Sequence, residues 1–185
     1  HALGRTGRMF TCENFGVVPD MLVIGKALGG GIFPLAALIA REDLNVAANI
    51  ALGHYTHEKN PVACAAALAA IEVIERERLP ERAARLGAEA VERLRAMRQR
   101  HPVIGAVQGL GLLLGVALTR EDGTPAKEET DQILYRCLTK GLNFKTTMGH
   151  ILTLTPPLTI AEADLWRALE IIEESIAELP HRNRE

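Results

Sequence analysis

A lysine at position 26 follows the short apolar run Met21-Leu22-Val23-Ile24-Gly25 and precedes Ala27-Leu28-Gly29-Gly30-Gly31. The run reads as a buried strand, aliphatic and β-branched, with Pro19-Asp20 breaking the chain before it and glycines after it. A lysine at the end of a buried strand is partly withdrawn from water, and desolvation favours a neutral amine. A neutral amine is a nucleophile toward carbonyl carbon, which is Schiff-base chemistry. On position alone, a side chain snorkelling from a strand end would serve as well. The neighbouring residues decide between the two.

Upstream stand Gly4-Arg5-Thr6-Gly7-Arg8-Met9-Phe10-Thr11-Cys12-Glu13 and Gly16-Val17-Val18-Pro19-Asp20, ahead of Lys26-Ala27-Leu28-Gly29-Gly30-Gly31. Downstream come Tyr55-Thr56-His57-Glu58-Lys59-Asn60-Pro61-Val62-Ala63-Cys64-Ala65-Ala66-Ala67-Leu68 and Thr155-Pro156-Pro157-Leu158-Thr159-Ile160. In order and spacing these segments resemble the class-III pyridoxal-phosphate (PLP) aminotransferases of the ornithine and 4-aminobutyrate type. The resemblance implies a fold-type-I PLP-dependent transferase. It gives Lys26 the role of holding PLP as an internal aldimine and carrying the proton during catalysis. Thr56 aligns with the threonine that binds the cofactor phosphate across a homodimer interface, and a hydroxyl can donate one hydrogen bond to a phosphate oxygen. Glu58 and Lys59 replace small residues, usually glycines, found in much of the family, which leaves the local loop shape open.

The family's acidic pair, whose aspartate holds the pyridine nitrogen, would lie just before His1. Its phosphate cup and ring-stacking residue would lie earlier still. The chain opens without a methionine and is expected to be the C-terminal part of a longer enzyme. Residues 1–57 then form the end of the PLP-binding large domain, 58–79 a connecting helix, and 80–185 a small C-terminal α/β domain.

The chain has 185 residues, 48% of them apolar, and a net charge of −2. That length suits one sizeable domain or one large and one small unit. Charge near neutrality leaves no basic footprint for nucleic acid. No charge-free apolar stretch reaches the ~18 residues that argue for a membrane span. Cys12, Cys64 and Cys137 are too few and too scattered for a secreted disulfide framework, so a cytoplasmic setting is expected.

The elements that position these residues can be read from pattern. Leu35–Ala40 is a second buried-strand candidate. Asn60-Pro61 opens a helix, with Asn as the N-cap and Pro at the first helical position. That helix is apolar almost all round through Ile74, which predicts burial. Leu79-Pro80 breaks the pattern, and a charged helix from about Glu81 to Arg100 buries Leu86, Ala90, Val91, Leu94 and Met97. Val103–Val107, Leu112–Leu118 and Ile151–Leu154 read as strands. A helix over Glu128–Thr139 turns Ile133, Leu134 and Leu138 inward. Thr159-Ile160-Ala161-Glu162 reads as a capping box before a last helix with a stripe of Ile160, Leu165, Leu169, Ile172 and Ile176. Strands alternating with helices give an α/β class.

Other motifs fail on spacing. A phosphate-binding P-loop ending in Gly25-Lys26 needs glycine where Asp20 stands and Ser or Thr where Ala27 stands. Gly109-Leu110-Gly111 begins a dinucleotide fingerprint, but Leu114 holds the third glycine's place. His54 and His57 flank Thr56 without an acidic or cysteine partner at metal-binding spacing, so no metal is expected. His57 adjoins Thr56 and could lie at the cofactor mouth.

Many members of the resembling family that act on α-amino acids carry an arginine, a bidentate carboxylate clamp, where Thr153 stands here. Threonine cannot supply a charged fork, so the usual clamp is absent unless an arginine of the earlier half replaces it. The expected donor is therefore an amine or amino acid anchored differently: an ω-amino acid, an amine, or an amino-phosphate or phosphonate compound, with a keto acid as acceptor. Lys145, in Asn143-Phe144-Lys145-Thr146-Thr147, could meet an anion, although a solvated loop lysine is the plainer reading. Thr153 and Lys145 are the substrate-binding candidates. The alternatives are a PLP-dependent lyase, decarboxylase or epimerase of the same family, or an inactive folding or dimerisation unit.

Overall fold

The computed structural model describes residues 2–51, 53 and 55–180. They form two compact units, His1–Glu81 and Arg82–Glu185.

In the first unit, β1 (Met21–Ile24) pairs antiparallel with β2 (Ala37–Ala40), Met21 opposite Ala40 and Ile24 opposite Ala37. The expected strands are present, but not buried as expected. Met21 and Val23 on β1, and Leu38 and Ile39 on β2, are all exposed. Among the described residues the ribbon has no third strand, and while Leu22 and Ile24 are half-buried, the face carrying Met21 and Val23 stays in water. Helix α1 (Pro61–Arg76) begins as the sequence dictates, with Pro61 in the first turn and Asn60 Oδ1 accepting from Val62 N at 3.0 Å and Ala63 N at 3.2 Å. Its apolar circumference does not lead to all-round burial. Only Ala63, Ala67 and Ile74 are buried, while Val62 and Leu68 are exposed.

Helix α2 (Leu79–Arg100) starts two residues before the expected position, because Pro80 falls in the first turn, where its missing N–H costs nothing. Leu86, Ala90 and Leu94 are buried as their four-residue recurrence requires, and Val91 and Met97 beside them are buried too. β3 (Ile104–Leu110) and β4 (Leu113–Leu118) form a hairpin closed by Gly111 and Leu112. Gly111 takes φ 55°, the left-handed geometry that two-residue hairpin turns need at their first central residue. Gly87 lets α2 lie directly on this turn, since a Cβ on Gly87 would stand 2.0 Å from the Gly111 carbonyl oxygen. Gly109 likewise leaves room for Val91 and Leu114. The Gly-Leu-Gly stretch is therefore a packing device.

Helix α3 (Lys127–Thr139), β5 (Lys145–Thr147), β6 (Ile151–Leu154) and α4 (Glu162–Ala177) complete the unit. The sheet is antiparallel throughout, in the order β3-β4-β6-β5. One face is apolar: Leu114, Val116, Leu118, Leu152 and Leu154 pack with α2, Ile133 and Cys137 of α3, and Leu169, Ile172 and Ile176 of α4. Burying each such Leu, Ile or Val contributes about 1.5–3 kcal/mol. Leu138, expected inward, is 51% exposed. The buried stripe of α3 runs through Thr130, Ile133 and Cys137, which puts Leu138 on its flank.

The expected capping box at α4 does not form. Ala161 is the N-cap and makes no side-chain bond, while the Glu162 carboxylate pairs with Arg85 on α2. Arg82 instead secures the approach to α4 by donating to the carbonyls of Leu158 and Ile160. The Arg93 guanidinium lies 4.0 Å from the Trp166 ring centroid, tying α2 to α4 a second time.

Candidate active site

Lys26 opens a single 3₁₀ turn, Lys26–Gly29, immediately after β1. Leu28, buried, anchors the turn, and Gly30 at φ 65° ends it with its N–H on the Ala27 carbonyl at 2.9 Å. Lys26 itself has φ 50°, a left-handed conformation that a residue with a Cβ adopts at a cost of about 1–2 kcal/mol. Such residues gather at functional sites. Its side chain is exposed, so these residues do not supply the desolvation expected of a strand-end lysine. No described carboxylate pairs with its ammonium. An amine on a fixed backbone and free of an acidic partner suits covalent attachment to an aldehyde.

The segment before β1 is a knot of turns. Gly4 (φ 74°) and Gly7 (φ 91°) take left-handed geometry around Thr6, which is 1% exposed. The Thr6 hydroxyl meets the Thr11 hydroxyl at 3.1 Å and accepts from Asn14 Nδ2 at 3.3 Å. Burial pulls the neighbouring Arg5 guanidinium below its ordinary pKa. Asp20 has a role the sequence did not disclose. Arg41 Nη1 donates to it at 2.7 Å, closing the open end of the β1–β2 ribbon, and Asp43 followed by Asp20 raises the Arg41 pKa.

Thr56 is exposed in the turn 56–59, which leads directly to the Asn60 cap of α1. Lys59 has φ 56°. A glycine adopts that geometry freely, whereas a residue with a Cβ does so at a cost. His57 is exposed in the same turn, and His54 lies outside the described residues. Among the described residues no three His, Cys, Asp or Glu side chains gather as a metal-ligand set. Cys137 is buried beside Ser175 Oγ at 3.4 Å, and burial pushes its thiol up.

Lys145 and Thr153 lie in the second unit. Lys145 stands at the start of the edge strand β5, not in a loop, and is the direct cross-strand partner of Thr153 on β6. Thr147, which sequence reasoning missed, hydrogen-bonds Thr153 hydroxyl to hydroxyl at 2.8 Å. The only signal for it was a β-branched pair, Thr146-Thr147, in a segment of three residues. Thr153 therefore belongs to a small polar group with Lys145 and Thr147.

Comparison with known proteins matches residues 2–176 to the family described as aminotransferase class-III. An (R)-1-hydroxy-2-aminoethylphosphonate ammonia-lyase of Vibrio splendidus is 45% identical over 97% of this chain and 38% of its own length. An ornithine aminotransferase of a Geobacillus species is 39% identical over 95% of this chain and 42% of its own. Among solved structures, the ornithine aminotransferase of Toxoplasma gondii, described with partial occupancy of PLP at its active site, superposes with a TM-score of 0.86 at 31% identity. That match covers 95% of this chain and 40% of that protein. The chain thus spans about two-fifths of the length of these relatives.

Proposed function

Because this chain belongs to the class-III aminotransferases, we propose that the whole protein moves an amino group from an amine or amino acid to a keto acid, with PLP as cofactor. The observation that carries the proposal is Lys26, held at φ 50° between β1 and a glycine turn inside the matched segment. Lys26 holds the cofactor through Nζ and, once released, takes and returns the proton that the reaction moves. PLP supplies the electron sink. The Thr56 hydroxyl would donate a hydrogen bond to the cofactor phosphate of the partner subunit in a homodimer, and its exposure in this chain suits a residue used across an interface. Thr153 and Lys145 face the substrate.

Residues 1–57 serve as the end of the cofactor-binding domain, 58–79 as the connecting helix and 80–185 as the small domain. No described helix is long and apolar enough to cross a membrane. With three unbridged cysteines, a cytoplasmic enzyme fits best.

A second reading has a specific observation behind it. The relative at 45% identity is an ammonia-lyase, and the resemblance puts Thr153 where many α-amino-acid enzymes of the family carry a carboxylate-clamping arginine. In this reading the same Lys26 takes the proton, and the amino group leaves as ammonia. Incubating the full-length enzyme with amine donors, with and without a keto acid, separates the two. Turnover that requires the keto acid supports transamination, and ammonia release without it supports elimination. Reductive trapping with borohydride followed by peptide mapping tests both, since each requires the label at Lys26.

A further inference from the structure

Left-handed backbone at a residue with a Cβ persists only where its surroundings hold it. Lys26, at φ 50°, is such a residue, and the contacts that hold it can be named. On one side its turn abuts the chain entering β2. A Cβ added to Gly25 would stand 3.5 Å from Ala36 Cβ, and one added to Gly29 would stand 3.7 Å from Leu35 Cβ. On the other side lies α1. A Cβ added to Gly30 would stand 3.6 Å from Ala70 Cβ and 3.8 Å from the Ala66 carbonyl oxygen. These are ordinary van der Waals distances, so the gap between Gly30 and Ala70 accepts a methyl group and nothing larger.

The helix is shaped for this approach. Ala66 and Ala70, half-buried, share a face at helical spacing with the buried Ala63 and Ala67, while the bulkier Val62 and Leu68 are exposed. The turn itself is short and stiff. Leu28 N–H donates to the Gly25 carbonyl at 3.2 Å, Gly30 N–H donates to the Ala27 carbonyl at 2.9 Å, and the Leu28 side chain is buried. A push on Gly30 is therefore passed back along the turn to Lys26.

We propose that Ala70 is a positioning residue for Lys26. Its methyl group sets how closely α1 approaches Gly30, and through the turn it fixes the backbone from which the Lys26 amine reaches the cofactor aldehyde. The inference rests on the role proposed above for Lys26. In that step Nζ adds to the aldehyde carbon, the carbon–oxygen double bond is exchanged for carbon–nitrogen, and the oxygen leaves as water. The rate depends on how the amine approaches, and a displacement of about 1 Å can cost ~10²-fold. A valine at position 70 would fill the gap and displace Gly30.

The test uses the full-length enzyme freed of cofactor and two probes that differ at one group. Pyridoxal phosphate carries the aldehyde that Lys26 captures, whereas pyridoxamine phosphate carries an amine there and binds without capture. Stopped-flow absorbance at saturating pyridoxal phosphate gives the capture rate, and calorimetry gives the Kd of pyridoxamine phosphate. Ala70→Val is expected to slow capture about tenfold or more and to leave that Kd within about twofold. Ala70→Ser, close to alanine in size, keeps the parent rate. Ala70→Gly adds no atoms and removes the supporting methyl, so it too slows capture, and it decides the question if the valine variant fails to fold. The parent rate in Ala70→Val or Ala70→Gly overturns the proposal. So does a pyridoxamine phosphate Kd that weakens in step with capture, which is the mark of packing alone. Borohydride trapping of the parent keeps the two readings apart: a label on Lys26 with an unchanged capture rate sinks only the role of Ala70, and a label elsewhere overturns both.

Discussion

Arg82 and Leu158 are 76 residues apart in sequence, yet Arg82 Nη1 donates to the Leu158 carbonyl at 2.6 Å. Its other terminal nitrogen bonds the Ile160 carbonyl. Both carbonyls lie between Pro156-Pro157 and α4, a stretch whose helix has no side-chain cap. One guanidinium thus sets the path by which the chain leaves β6 and enters α4.

Removing that fork should cost stability. Arg82→Met deletes two charge-assisted bonds, and a loss of about 2–3 kcal/mol is expected. Urea unfolding of this chain, followed by emission of Trp166, its single tryptophan, measures the change. Arg82→Lys should recover less than half, because an ammonium cannot reach both carbonyls in the same geometry.

Gly87→Ala is expected to be worse, although it is a favourable change for an ordinary helix. The new methyl group would overlap the Gly111 carbonyl, which cannot move without opening the β3–β4 turn. A loss of at least ~3 kcal/mol, or failure to fold cooperatively, follows. Circular dichroism of the variant would register either outcome, and a stability equal to that of the parent would refute the packing argument.

Lys26→Ala in the full-length enzyme should abolish turnover, while Thr56→Ala should chiefly loosen the cofactor. A steady-state assay at saturating PLP distinguishes them. Activity lost in the threonine variant returns as cofactor is added, and activity lost in the lysine variant does not. Wild-type turnover in Lys26→Ala would remove the assignment.

Acid should weaken the second unit through Glu174. Lys140, and after it Arg167, holds the Glu174 carboxylate below its ordinary value of 4.5. A carboxylate with a depressed folded-state pKa contributes stability above its unfolded value, and the contribution is lost as pH falls through the folded one. The decline should therefore begin below about pH 5. Glu174→Gln should lose a little stability at pH 7 and almost none at pH 3, which flattens the decline; the effect is small because the pair is solvent-exposed. Thermal midpoints from pH 3 to 7 supply the comparison.

The second unit was largely legible from sequence, because its helices and sheet bury one face each and periodicity reports a buried face. Leu86, Leu94, Leu165 and Ile172 are inside for that reason. β5 escaped notice because a three-residue edge strand carries no period, and its partner β6 defines it only through hydrogen bonds. The capping box misled because α4 starts at Glu162 itself, with Ala161 as the N-cap, and the Glu162 carboxylate pairs with Arg85. In the first unit, apolar runs predicted burial at β1, β2 and α1, but a side chain's hydrophobicity states what it prefers to touch, not what lies beside it. Lys26 and Thr56 were found by motif order. The left-handed backbone at Lys26 had no sequence signal, because lysine seldom adopts it.

The uncovered side chains of the first unit, among them Val18, Val23, Ile32 and Leu68, have a practical consequence. Cut into its two units, the chain would yield partners of unequal temperament. Residues 82–185 carry their own interior and should stay dispersed at high concentration. Residues 1–81 should cling to resins, to chaperones and to one another until a matching polypeptide surface takes their place.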